Sequence, residues 1–66
     1  MFNKVKKRRE DLGINQTEFA RRCGVSRQAI HAIESGTFGP SVVLALKIAK
    51  HLKMSVEELF LLERKD

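Results

Sequence analysis

Two helix starts of one design stand on either side of Gly24, and they constrain the fold more than any other stretch of the chain. The first is Ile14-Asn15-Gln16-Thr17-Glu18-Phe19 and the second is Val25-Ser26-Arg27-Gln28-Ala29-Ile30. Asn and Ser are strong N-caps, because a short side-chain oxygen can accept from a backbone N–H that the first helical turn leaves free. In each stretch one apolar residue precedes the cap and another takes the fourth helical position, the spacing of a hydrophobic staple. Glu18, three residues after Asn15, supplies the return half of a capping box. Gly24 suits a left-handed helix end. Two capped helices separated by so few residues cannot run straight on, so they turn sharply against each other.

The remainder keeps the helical period, with apolar residues every three or four positions. A first helix is expected from about Lys4 to Leu12, with Val5 and Leu12 on one side and Gly13 as its stop. Phe19, Ala20 and Cys23 line the inner face of the second helix, and Glu18 can pair with Arg22 one turn on. Ile30 and Ile33 line the third, which ends near Ser35-Gly36. Phe38-Gly39-Pro40 is a loop, and Ser41 caps a fourth helix carrying Leu44, Ala45, Ile48, Ala49 and Leu52 at core spacing. Ser55-Val56-Glu57-Glu58 opens a fifth with an S-x-x-E box, burying Val56, Leu59 and Phe60. Phe60-Leu61-Leu62 then sets more apolar residues in a row than one helical face can bury. It is either a dimer contact or a short strand pairing with Met1-Phe2-Asn3.

The expected architecture is therefore all-α: five helices in one domain over residues 1–66, with the paired helices at about 16–35 and a dimer contact within 56–66. A chain of 66 residues buries only about 60% of its unfolded surface, so its core is marginal. Scaffolds of that size lean on disulfides, a metal or a partner subunit. Cys23 alone makes no internal disulfide, and no Cys/His cluster has zinc-site spacing. A second copy of the chain is the remaining support, and the lone thiol suits a reducing cytoplasm. No apolar signal segment follows the charged N-terminus, and no apolar run approaches the roughly 18 residues that span a membrane. A cytoplasmic protein without a membrane contact is expected.

The net charge of +5 is unevenly placed. Residues 1–33 hold eight Lys/Arg against three acids, whereas residues 34–66 hold five of each. That asymmetry favours a polyanionic partner, nucleic acid before membrane. Catalysis finds little support: His31 and His51 fall on different helices, and no nucleophile signature accompanies them. Cys23 reads as a small core residue. The glycines stand singly at helix ends, so no phosphate-cradling loop is formed. No cofactor, metal or small-molecule ligand is indicated.

The polar residues at the two helix starts carry the chemistry instead. A helix N-terminus offers free N–H groups and the positive end of a dipole, both suited to phosphate. Asn15 and Gln16 add amide donors at the first start. Arg27 and Gln28 stand at the second, where Arg matches the acceptors of guanine and Gln those of adenine. His31 and Ala32 follow one turn later, and Ala32 can meet a thymine methyl.

With those residues in view, "LGINQTEFARRCGVSRQAIHAIESG" followed by "PSVVLALKIAKHL" resembles the Cro/phage-repressor (XRE) helix-turn-helix family over residues 4–60. Within it, the chain is most similar to short stand-alone dimeric repressors of the cytolysin-repressor type. The resemblance implies a five-helix domain binding double-stranded DNA. It places Arg27 and Gln28 on base-reading positions, with Ala32 and the less typical His31 beside them. Asn15, Gln16 and Ser26 fall on phosphate-binding positions, as do Thr37 and Phe38 in the following loop. That loop lacks Lys and Arg, so its grip would rest on main-chain N–H groups. Arg9 and Glu34 fall on the positions of a partly buried structural ion pair, and Phe60, Leu61 and Leu62 are the candidate dimer contact. The implied function is a homodimeric repressor of a palindromic operator, with an antitoxin or restriction–modification controller on the same fold as the alternative. A protein-interaction module without DNA binding is a further rival, and Arg27-Gln28 argue against it.

Overall fold

The computed structural model describes residues 1–66. Its elements, in chain order, are β1 (Phe2–Asn3), α1 (Val5–Asp11), α2 (Gln16–Cys23), α3 (Arg27–Glu34), α4 (Val42–Leu52), α5 (Val56–Leu59) and β2 (Phe60–Leu61). Each of the last four helices opens on the short polar residue the sequence marks. Asn15, Ser26, Ser41 and Ser55 accept from the backbone N–H of Glu18, Ala29, Leu44 and Glu58 respectively. Ser55 and Glu58 complete a reciprocal capping box. Hydrogen bonding to Ser55 holds the Glu58 carboxyl below its ordinary pKa. α1 has no side-chain cap of its own at Lys4; the Asn3 amide oxygen accepts from the Val5 N–H instead, at 3.1 Å.

The turn between α2 and α3 depends on Gly24, whose φ of +73° lies in the left-handed region that side chains disfavour. Ala20, Cys23 and Phe19 of α2 then face Ile30 and Ile33 of α3, over a floor made by Ile48, Ala49 and Leu52 of α4. Val5 and Leu59 close the core from α1 and α5. Ile14 and Val25, the residues before the two caps, pack on its edge, as staples should. Cys23 is a buried free thiol, and burial raises its pKa.

Three expectations are corrected. Leu12 does not share the inner side of α1 with Val5: it is exposed, and the inward position one turn after Val5 belongs to Arg9, only 6% exposed. Leu12 is already the C-cap, past the last packed turn, where the chain leaves for Gly13. Glu18 does not return to the Asn15 N–H. Its carboxylate is taken by Arg21 and Arg22, one turn on, because two guanidinium donors outbid one exposed amide. Phe60 does not extend the fifth helix; it enters an antiparallel pairing, Phe2 with Leu61 and Asn3 with Phe60. The strand expected of the tail is formed, and the fold is five helices with a small two-stranded sheet.

Candidate nucleic-acid interface

Beneath the paired helices lies a charged pair that fixes their relative placement. Arg9 Nε donates to Glu34 Oε2 at 2.7 Å and its Nη2 to Oε1 at 3.2 Å, while Nη1 donates to the Ile14 carbonyl at 2.7 Å. Both side chains are nearly inaccessible, at 7% and 3% exposed. One guanidinium thus ties α1, the cap region of α2 and the end of α3 together. No buried side-chain polar atom in the protein lacks a partner, as a buried charge requires.

Gln16 extends that network to the surface. Its Nε2 donates to Glu34 Oε1 at 2.9 Å, and its Oε1 accepts from Arg27 Nη1 at 3.4 Å. The first residue of α2 therefore touches the first residue of α3, bringing the two polar clusters of the sequence into one continuous surface. One Nε2 hydrogen of Gln16 stays unspent, as do the Asn15 Nδ2 hydrogens, since Asn15 uses only its oxygen as the cap. The free N–H groups of the first turns of both helices lie beside them.

Arg27, Gln28 and His31 are all exposed and line one shallow depression on α3, while Ala32 on the same helix is half-buried. Ser26 accepts the Ala29 N–H at 3.1 Å and keeps its hydroxyl hydrogen. Arg27 is the only Lys or Arg in α3. Much of the remaining positive charge is committed elsewhere: Arg21 and Arg22 share Glu18, Lys7 pairs with Asp11, and Arg8 Nε donates to the Leu52 carbonyl at the end of α4. The two arginine hydrogen bonds hold the Glu18 carboxyl down at about 2.

The loop after α3 differs from its expected use. The N–H groups of Thr37 and Phe38 both donate to the Ala32 carbonyl, closing the helix end, so they are not free for a phosphate. Thr37 Oγ1 instead shares a hydrogen bond with Ser35 Oγ at 2.9 Å, and the Phe38 ring is 62% exposed. The Gly39 N–H has no acceptor in the chain, and neither does that of Ser41 at the loop's far end. Sequence reasoning missed Gly39, and it missed Asn3 and Arg8, whose carbonyl partners become neighbours only in three dimensions. No signal along the chain points to those pairings.

Phe60, Leu61 and Leu62 do not form one face. Phe60 is half-buried, Leu61 leaves its edge accessible, and Leu62 is 84% exposed. Phe60 lines an apolar groove with Pro40, Val42, Ala45, Leu46 and Val56. Val42 and Leu46, one turn apart on α4, are 77% and 58% exposed there.

The chain is similar to known proteins. The helix-turn-helix family matches residues 5–59. Over its full length the chain is 44% identical to YgzD of Bacillus subtilis, an uncharacterized HTH-type transcriptional regulator covered completely. It is equally identical over 63 residues to an HTH-type transcriptional regulator of Methanocaldococcus jannaschii, covering 96% of each chain. Among solved structures, the restriction-modification controller protein C.AhdI of Aeromonas hydrophila superposes with a TM-score of 0.76 at 30% identity, over 85% of each chain. No helix here is long and apolar enough to cross a membrane. With paired, capped helices presenting amide and guanidinium donors from a shared scaffold, the chain belongs to the Cro/phage-repressor (XRE) helix-turn-helix family, whose members are DNA-binding transcriptional regulators and not enzymes.

Proposed function

We propose that this DNA-binding regulator works inside the cell as a homodimeric repressor of a palindromic operator. Arg27 and Gln28 read base edges in the major groove, His31 and Ala32 border them, and Asn15, Gln16 and Ser26 with the helix N-termini hold phosphates. The observation that carries this reading is the placement of Arg27 and Gln28. Both are exposed at the start of a two-turn helix, and Arg27 is joined to the start of α2 through Gln16. Thr37, Phe38 and the Gly39 amide meet the sugar–phosphate backbone beyond α3, with the Gly39 N–H as donor.

A second copy is favoured by size and by surface. Each copy has one α3, and its extents are 32 × 21 × 20 Å, so abutting copies set equivalent helices tens of ångströms apart. Successive major grooves on one DNA face are about 34 Å apart. The groove between α4 and the terminal segment, with Phe60 in its wall, is an apolar surface suited to a two-fold contact, to which the exposed Leu61 and Leu62 of the tail would add. Repression then follows from occupancy of a promoter, without chemistry.

Selection from random duplex DNA tests this directly. A palindromic consensus is expected, and Arg27→Ala should lose about 1–3 kcal/mol at one base pair of each half-site. A consensus without two-fold symmetry would sink the dimer, and an unaltered preference in Arg27→Ala with Gln28→Ala would remove α3 as the reader. The similarity to a restriction-modification controller favours one other reading, control of a methyltransferase and nuclease by the same mode of binding. A restriction–modification gene pair beside the coding sequence would decide for it.

A further inference from the structure

Resting on the reading of α3 as the DNA reader and of the α4 groove as the seat of a second copy, we propose that Asn3 is a positioning residue that couples the two. Asn3 Nδ2 donates to the carbonyl of Ile33 at 2.7 Å, on the last turn of α3, while its Oδ1 accepts from the Val5 N–H at 3.1 Å. Its backbone pairs with Phe60 across the terminal sheet, and Phe60 lines the groove. A second close approach joins the same two parts. A Cβ on Gly36 would lie 2.9 Å from the Met1 carbonyl oxygen, so the chain leaving α3 lies directly against the chain entering β1. The end of the recognition helix is therefore bonded to β1 at Asn3 and set against Met1 at Gly36, and Met1 and Phe60 both line the groove.

The mechanical consequence follows from the helix's length. Eight residues span about 12 Å, and Arg27 and Gln28 stand at the end opposite Ile33. A tilt at Ile33 displaces the donors at the other end, and bidentate contacts to a base edge tolerate little misalignment. A second copy seated against Phe60 narrows the range of β2, hence of Asn3, hence of α3. DNA held by α3 favours the occupied form of the groove by the same amount, because coupling between two binding events is reciprocal.

A double-mutant cycle on a duplex carrying one half of the selected operator tests the coupling, since such a duplex cannot be bridged by two protomers. Leu46→Lys places a charge in the groove to give a monomer. Asn3→Asp keeps the acceptor for the Val5 N–H but removes the donor that Ile33 holds. In the otherwise natural chain, Leu46→Lys should weaken half-site binding about fivefold; in the Asn3→Asp chain it should change binding by less than about twofold. Equal losses in both backgrounds overturn the proposal, as does an unchanged half-site affinity for Leu46→Lys alone. If Asn3→Asp does not fold, amide exchange of the natural chain decides. The Gly36 and Thr37 amides, which bond to α3 carbonyls, should lose more protection than the core amides of α4 when the protein is diluted from dimer to monomer, and a loss no greater than theirs overturns the coupling. A natural chain that fails to bind the full operator, or a Leu46→Lys chain that sediments unchanged, instead removes the underlying reading and the coupling with it.

Discussion

Glu34 accepts from three donors at once, Arg9 Nε, Arg9 Nη2 and Gln16 Nε2, and this concentration of hydrogen bonds makes an almost inaccessible carboxylate tolerable. Arg9→Met leaves that charge buried with only the Gln16 amide beside it. Urea denaturation should show a loss of about 3–5 kcal/mol, with part of it recovered when Glu34→Leu is added. A result near zero for Arg9→Met would mean the pair is far better solvated than its 3% and 7% exposures indicate. Gln16 raises a different question, because it serves the scaffold through Nε2 and Arg27 through Oε1. Its contact to Arg27 is long and exposed, so its remaining N–H is expected to serve DNA phosphate. Gln16→Ala should then lower affinity by about 1 kcal/mol across all sequences, measured as equal losses on operator and on scrambled duplex. A changed consensus would instead show that Gln16 acts by aiming Arg27.

Among the helices, the one departure from easy backbone geometry is at the end of α4. Lys53, its C-cap, sits at φ +56° and ψ +42°, the left-handed conformation that glycine adopts freely. A non-glycine residue there costs about 1 kcal/mol or more, and the exposed Lys53 side chain makes no compensating hydrogen bond. Lys53→Gly should raise the melting temperature by several degrees, since about 1 kcal/mol moves a domain of this size by roughly 4–8 °C; a lower midpoint would contradict the strain. The four side-chain caps were legible because a cap is local, decided by one oxygen and an N–H three residues on. Glu18 was misread because the same carboxylate had competing partners at Arg21 and Arg22, and spacing alone does not rank them. The outcome has a pH signature. With its carboxyl held at about 2, below the unfolded value, Glu18 contributes stability that is present above the ordinary carboxylate range and is lost as pH falls through about 2. Glu18→Gln should flatten the acid limb of a stability–pH profile between the ordinary value and about 2, and less so in high salt, because the pair is exposed. An unchanged limb at low salt would show that the arginines do not hold it. The arrangement of Arg27 and Gln28 at one end of α3 was legible for the same local reason. The fastening of its other end by Asn3 was not, because the Asn3–Ile33 contact joins residues far apart in sequence and depends on the termini meeting.

Taken together, the helices bury a core whose large, fully enclosed side chains are few: Phe19, Ile30, Ile33, Ile48, Leu52 and Leu59, with Val5 and Cys23. At the same time Val42, Leu46 and Leu62 stay largely in water. A chain this small gains proportionately more from covering such a surface than a larger one does, since its own interior supplies so little. If the groove is covered by a second copy, folding and association are linked, and the apparent stability must depend on how much protein is present. The midpoint of thermal unfolding should therefore rise steadily with protein concentration. Leu46→Lys should unfold at one concentration-independent temperature, below that of the natural dimer. It should also bind operator with lower affinity, because two half-sites are then engaged by separate molecules. A natural chain whose midpoint ignores concentration across the micromolar range would place the dimer outside the groove or make it dependent on DNA, and sedimentation with and without operator separates those two outcomes.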